Sequence, residues 1–173
     1  DGSLLNYKEI KNVCIKCDKQ YDNIYSYCPV HGDILTKVTP SNLDNLNEKR
    51  KLITEQITDA TLALIRKERS ESGNSIVFHH PDWHPGVLGI VANRLVELFN
   101  KPVILLTGNP DQPIRGSGRS IDGVNIIEAI RNSSQLLTHF GGHTMAAGLS
   151  LPFENLEVFK KEFEKSVQHQ LSE

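Results

Sequence analysis

Phe140-Gly141-Gly142-His143-Thr144-Met145-Ala146-Ala147-Gly148-Leu149 is the stretch on which the reading of this chain turns. From Gly141 to Gly148 it packs three glycines and two alanines into eight residues, with His143 as its one titratable side chain. So little bulk lets the backbone approach another surface closely and adopt positive φ, which is what main-chain N–H groups need to reach a phosphate or a sugar. The same smallness suits a tight helix-to-strand turn tucked under a neighbouring element. Upstream, Ile126, Ile127, Ile130, Leu137 and Phe140 recur at helical intervals and predict a helix from Asn125 to Phe140. Downstream, Ala146 to Leu151 reads as a strand, so Gly141-Gly142-His143 is predicted to be the turn between them.

A second polar cluster precedes it. Arg115-Gly116-Ser117-Gly118-Arg119-Ser120 holds two guanidinium groups and two hydroxyls separated by glycines, with no acidic residue among them. Arginine offers a planar fork of donors matched to phosphate oxygens, serine adds neutral donors, and glycine opens access to backbone N–H groups. Read as a short strand, the segment sends Arg115, Ser117 and Arg119 to one side and Gly116, Gly118 and Ser120 to the other. The bland alternative is a polar surface loop, since Arg and Ser are mostly exposed in any protein.

Around these two segments the pattern is α/β. Ile76-Val77-Phe78 reads as a short buried strand, and His79 to Pro85 as a rigid loop. A helix follows, with Val87, Ile90, Val91, Leu95 and Leu98 as its apolar face and Pro85 and Gly86 at its start. The free N–H groups of such a start attract anions, and His84 stands there, either to touch substrate or to hold the loop by a hydrogen bond. Val103 to Leu106 is a continuous apolar run, the mark of a strand covered on both faces, and Thr107 to Ile114 reads as a loop. Asn155 is the expected cap of a last helix with a stripe of Leu156, Phe159, Phe163, Val167 and Leu171.

Three blocks then stand in order: Trp83-His84-Pro85-Gly86-Val87-Leu88-Gly89-Ile90-Val91-Ala92-Asn93-Arg94-Leu95, Arg115 to Ser120, and Gly141 to Gly148. Together they resemble the DHH-associated domain of the RecJ single-strand exonucleases, over about residues 46 to 173. The resemblance implies a two-domain DHH phosphoesterase, in which an N-terminal DHH catalytic domain holds manganese or magnesium on an Asp-His-His motif and the second domain grips single-stranded DNA. Only the second is recognisable in this sequence. His79 and His80 follow Phe78 rather than Asp, so they are not that motif. The implied activity of the whole enzyme is 5′-to-3′ hydrolysis of single-stranded DNA in repair and recombination. This chain, lacking the catalytic metal site, is expected to be inactive alone. The implied phosphate-binding set is Arg115, Ser117, Gly118, Arg119, Ser120, Gly141, Gly142 and His84, with His143 near the cleaved bond as a hydrogen-bond or proton donor. Two other readings stay open: an oligonucleotide or nucleotide phosphodiesterase of the same superfamily, and a non-catalytic nucleic-acid-binding module akin to the related domain of alanyl-tRNA synthetases.

Composition bounds these readings. The chain has 173 residues, 38% of them hydrophobic and 23% charged, enough for one ordinary core and a small appendage. A net charge of −2 does not advertise a nucleic-acid binder, so phosphate recognition has to come from a local concentration of positive charge. No apolar run approaches a membrane span and no secretory signal pattern opens the chain, which makes a cytoplasmic location the default expectation. A start at Asp1-Gly2-Ser3 rather than Met suggests an excised fragment.

The three cysteines lie near the start, as Cys14-Ile15-Lys16-Cys17 and Cys28-Pro29-Val30-His31. Two knuckles ten residues apart supply a Cys₃His set of the kind a structural zinc takes; a redox pair or a disulfide are the competing readings. A module of this size has too small a core to fold unaided, so metal would carry much of its stability. The RecJ resemblance does not extend to this segment. Ser41, with Asp44 three residues on, is the expected N-cap of a connector helix whose stripe is Leu46, Ile53, Ile57, Ala60, Leu64 and Ile65. The predicted organisation is a zinc-ribbon-like module over 1–40, a connector helix over 41–70, and a DHH-associated nucleic-acid-binding domain over 71–173. The last is expected to be α/β, with a mixed sheet flanked by helices.

Overall fold

The computed structural model describes the backbone of residues 12–13, 20–21, 36–37, 40–68 and 73–172, and side chains over 44–67 and 73–172. The chain divides into two compact units, Asp1–Lys51 and Leu52–Glu173. In the first, β1 (Asn12–Val13), β2 (Gln20–Tyr21) and β3 (Thr36–Lys37) form a three-stranded antiparallel sheet in the order β2-β1-β3. The predicted zinc ligands Cys14, Cys17, Cys28 and His31 lie outside the described residues. The connector helix α1 (Pro40–Glu68) starts at the proline, so Ser41 stands inside the first turn rather than before it. Proline suits that position because its missing N–H would have no partner there.

In the second unit, the remainder of α1 buries Ile57 and Ile65, but its stripe departs from expectation. Ala60 is exposed, whereas Thr54, Thr58 and Thr61 are buried. Thr58 and Thr61 donate their hydroxyls to the carbonyls of Thr54 and Ile57, both at 2.7 Å, which satisfies each buried oxygen within the helix and leaves the methyl group to pack.

A five-stranded mixed sheet organises this unit. Its strands are β4 (Ile76–His79), β5 (Val103–Thr107), β6 (Ile114–Arg119), β7 (His139–His143) and β8 (Ala146–Leu151), in the order β4-β5-β6-β8-β7. Only β4 and β5 pair in parallel, and α2 (Leu88–Phe99) is the crossover that joins them. Every residue of β5 is buried, as its unbroken apolar run requires. One face carries Ile76, Phe78, Val103 and Leu105 against Leu88, Val91, Ala92 and Leu95 of α2 and against α1. The other carries Ile104, Leu106, Ile114, Ala147, Leu149 and Leu151 against α3 (Ile126–Arg131) and α4 (Leu156–Ser172). Ile90, Leu98 and Leu171, assigned above to apolar stripes, are 45%, 59% and 47% exposed; in α2, Leu88 and Ala92 take the core positions instead. Asn155 lies in a 3₁₀ turn, Phe153–Asn155, and donates its side-chain amide to the Leu136 carbonyl at 3.0 Å rather than capping α4.

The largest departure lies between Asn125 and His143. Instead of one helix to Phe140, α3 has six residues, a 3₁₀ turn covers Ser134–Leu136, and the glycine segment is strand β7. The helix ends at Arg131, where Asn132, Ser133 and Ser134 follow as three residues of low helix propensity. The chain beyond them then gains a full partner in β8. The reversal falls two residues after the glycines, at Thr144-Met145.

Candidate nucleic-acid interface

The pairing of β6, β8 and β7 sets three rows of residues across one sheet face. Arg119 pairs with Ala146 and Ala146 with His143; Ser117 pairs with Gly148 and Gly148 with Gly141; Arg115 pairs with Ser150 and Ser150 with His139. Since β6 also pairs Arg119 with Val103 and Ser117 with Leu105, these rows continue the face that α2 covers over β4 and β5. Past β6 that face opens: Arg115, Gly148, His139, Gly141 and His143 are exposed, and Ser117, Arg119, Ala146 and Ser150 half-buried. Rows two residues apart are separated by about 7 Å, and Arg119 and His143, two strands apart, by about 10 Å at their Cα atoms. The result is a floor of glycine, alanine and serine with basic side chains at both ends.

No acidic residue stands in the three rows, and among the described residues neither Arg115 nor Arg119 has a carboxylate partner. Three ion pairs lie within helices: Lys51–Glu48 in α1, Arg131–Glu128 in α3 and Lys160–Glu157 in α4. The Arg119 guanidinium is nevertheless placed, since its Nη1 donates to the Gly118 carbonyl at 2.8 Å and its flat end lies over Gly89 of α2. One donor of the five is used, which leaves the rest of the fork for an anion.

The hairpin that carries His143 is pinned at its tip. Ser120 donates its N–H to the Met145 carbonyl and Ile126 its N–H to the Thr144 carbonyl, both at 3.0 Å. The second bond ties the tip to the N-terminus of α3, which α4 holds in turn: Gln170 accepts from the Asn125 N–H at 2.6 Å and donates to the Asn125 carbonyl at 3.2 Å. Gly142 has φ of +152°, and a Cβ there would sit 2.3 Å from the Ala146 carbonyl oxygen, so no larger residue fits the backbone path. A Cβ on Gly141 would meet nothing within 4 Å, so that glycine faces open space.

Not every expected site residue reaches this face. Ser120 is 4% exposed and donates its hydroxyl to the Val124 carbonyl at 2.7 Å, closing the β6–α3 connection. Gly118 turns to the opposite core, where a Cβ would stand 2.7 Å from Ile126 Cδ1. His84 caps the 3₁₀ turn Pro85–Val87, its Nδ1 accepting the Gly86 N–H at 3.1 Å, which puts the proton of a neutral ring on Nε2. The loop before it is fixed by the Thr107 hydroxyl, 2.7 Å from the Trp83 carbonyl, and by the His80 ring stacked on Trp83 at 5.6 Å. His139 and Gly89 escaped the sequence reading as site residues. His139 became legible only once the glycines were a strand, and Gly89 only through the guanidinium above it.

Comparison with known proteins agrees with this geometry. The family model described as the DHHA1 domain matches residues 72–169. The single-stranded-DNA-specific exonuclease RecJ of Salmonella typhimurium is 40% identical over 134 residues, covering 73% of this chain and 23% of that protein. The protein of the same name from Bacillus subtilis is 34% identical, covering 77% of this chain and 17% of its own length. The chain thus spans about a fifth of these relatives. The solved structure of RecJ from Thermus thermophilus in complex with Mn²⁺ superposes with a TM-score of 0.66 at 31% identity, over 75% of this chain and 18% of the other. Another, exonuclease RecJ bound to manganese, has a TM-score of 0.66 at 29% identity, over 77% of this chain and 33% of the other. With more than half of its residues inside the family model, the mixed sheet and the glycine hairpin in place, this chain belongs to the DHHA1 domain family.

Proposed function

We propose that this chain is the strand-holding part of a single-stranded-DNA-specific exonuclease acting in DNA repair and recombination, and that the hydrolysis is performed by a DHH domain of the same protein. The observation that carries the reading is the open half of the sheet, where Arg119 and His143 flank a floor of small residues and Arg115 and His139 do so two rows away. Such a floor lets a sugar-phosphate backbone lie close to the sheet, and the arginines neutralise phosphates without reading bases. Arg115, Ser117 and Arg119 are the phosphate ligands. Gly141 is the close-approach position on that face, Gly142 keeps the backbone path beside it, and His143 donates to a phosphate oxygen near the scissile bond. His84 steadies the start of α2 and is left outside the ligand set, as are Ser120 and Gly118.

The names of the related proteins point the same way, with single-stranded DNA as substrate and Mg²⁺ or Mn²⁺ as cofactor. In this reading the hydrolytic Mg²⁺ or Mn²⁺ is held by the DHH domain; among the described residues no three His, Cys, Asp or Glu side chains gather closely enough to hold a metal ion. Among the same residues no helix is long and apolar enough to cross a membrane, and a DNA substrate fits work in the cytoplasm. Cys14, Cys17, Cys28 and His31 hold one structural zinc, a set of the right number and chemistry for a closed tetrahedral site.

The test is binding of labelled single strands to this chain, with and without a 5′-phosphate, across a salt series. Arg119→Ala should weaken binding by roughly 1.5–3 kcal/mol, the worth of a charge-assisted contact. The logarithmic salt slope should flatten by about 0.7, one counterion fewer from a single strand. Lysine should rescue only in part, since it restores the charge without the fork. A well-folded Arg119→Ala protein with unaltered affinity and slope would overturn the reading.

A further inference from the structure

We infer that Gly89, in the first turn of α2, is a positioning residue for strand binding: its missing side chain forms the slot that aims the Arg119 guanidinium at the open sheet face. The inference rests on the reading of Arg119 as a phosphate ligand and adds a residue that makes no contact with the strand itself. A Cβ built on Gly89 would stand 2.6 Å from Arg119 Nη2, 3.2 Å from Cζ and 3.5 Å from Nη1. All three of its nearest neighbours belong to one planar group, so the guanidinium lies across the glycine. Nη1 is bonded at the same time to the Gly118 carbonyl at 2.8 Å. These two restraints, a surface beneath and an acceptor at one end, set the direction of the remaining donors.

Helix α2 gives the glycine no reason of its own to be there. Leu88, Val91, Ala92 and Leu95 fill the core side of α2, and Gly89 lies half-buried at its margin toward β6. A glycine inside a helix weakens it relative to alanine, so its presence marks a packing need. Here the need is the guanidinium. An added methyl would collide only with the far end of a flexible side chain, so the fold can absorb alanine by moving Arg119 aside. That displacement breaks the aim and spares the core.

The experiment compares Gly89→Ala, Arg119→Ala and the double variant in the full chain, reading Tm, affinity for a single-stranded oligonucleotide and salt slope. Gly89→Ala should have a Tm equal to or above the parent, yet bind roughly tenfold more weakly with a flattened slope, close to Arg119→Ala. Adding Gly89→Ala to Arg119→Ala should cost no further affinity, since the group it displaces is gone. If Arg119→Ala loses affinity while Gly89→Ala binds like the parent, the inference falls and the reading of the site stands. If neither loses affinity, both fall. Should Gly89→Ala alone fail to fold, the double variant decides: a Tm matching that of Arg119→Ala supports the guanidinium as the obstructed group, and a second failure to fold overturns it.

Discussion

Gly141 and Gly142 are neighbours in sequence with opposite demands on what may replace them. At Gly142 a Cβ would press on the Ala146 carbonyl oxygen at 2.3 Å and Ala147 Cα at 2.6 Å, both backbone, at a φ of +152° that L-residues rarely adopt. Gly142→Ala should therefore destabilise the protein by about 2 kcal/mol or more and lower its Tm. Gly141 pairs with Gly148 on the open face and would meet nothing within 4 Å. Gly141→Ala should leave Tm unchanged and raise a methyl group where the strand is to lie, weakening single-strand binding alone. Thermal melts beside binding isotherms separate the two, and a Gly141→Ala protein with parental affinity would show that the backbone does not come close there. The sequence marked both glycines as special but could not tell strain from clearance, because that difference depends on what faces each residue across β8.

At the scale of the element, the hairpin β7–β8 is held through a relay from α4 to α3. Gln170 closes both a donor and an acceptor of Asn125, and the Ile126 N–H then bonds the Thr144 carbonyl at the hairpin tip. Gln170→Ala leaves a part-buried N–H without its partner, which should cost about 1–2 kcal/mol. Amide exchange should accelerate at Ile126 and along His139–His143 while β5 keeps its protection. Uniform exchange over β5 and β7 would mean that the relay does not act locally. The same region shows where sequence patterning stops. The strands β4, β5, β6 and β8 were legible from apolar runs and alternation, since each has a buried face. Strand β7 has all five residues exposed and no apolar alternation, so Asn125 to Phe140 read as one helix. Its pairing with β8 is a tertiary fact that local propensity does not encode. The arginine parity of β6 survived because alternation is a property of the strand itself.

For the whole molecule, the two units should melt apart. The second unit carries both hydrophobic cores within its own residues, its buried positions beginning at Thr54. On the proposed zinc site, Cys28→Ser or a strong chelator should unfold the first forty or so residues and leave the Tm of the Leu52–Glu173 unit in place. Elemental analysis of reduced protein giving no zinc would refute the premise. The second prediction at this scale is that the chain binds and does not cut. Hydrolysis of a phosphodiester by divalent ions needs hard oxygen and nitrogen ligands gathered around an open coordination position. Among the described residues no such group exists, and the basic face of β6–β8–β7 is built from arginines, histidines and small residues instead. Manganese added in excess should therefore yield no cleavage of a single strand that the chain holds measurably. The measurement is a gel assay on a labelled 5′-phosphorylated strand, run beside the binding isotherm on the same preparation. Turnover that persists through repeated purification and scales with the protein peak would place a metal site within this chain and overturn the division of labour proposed for it.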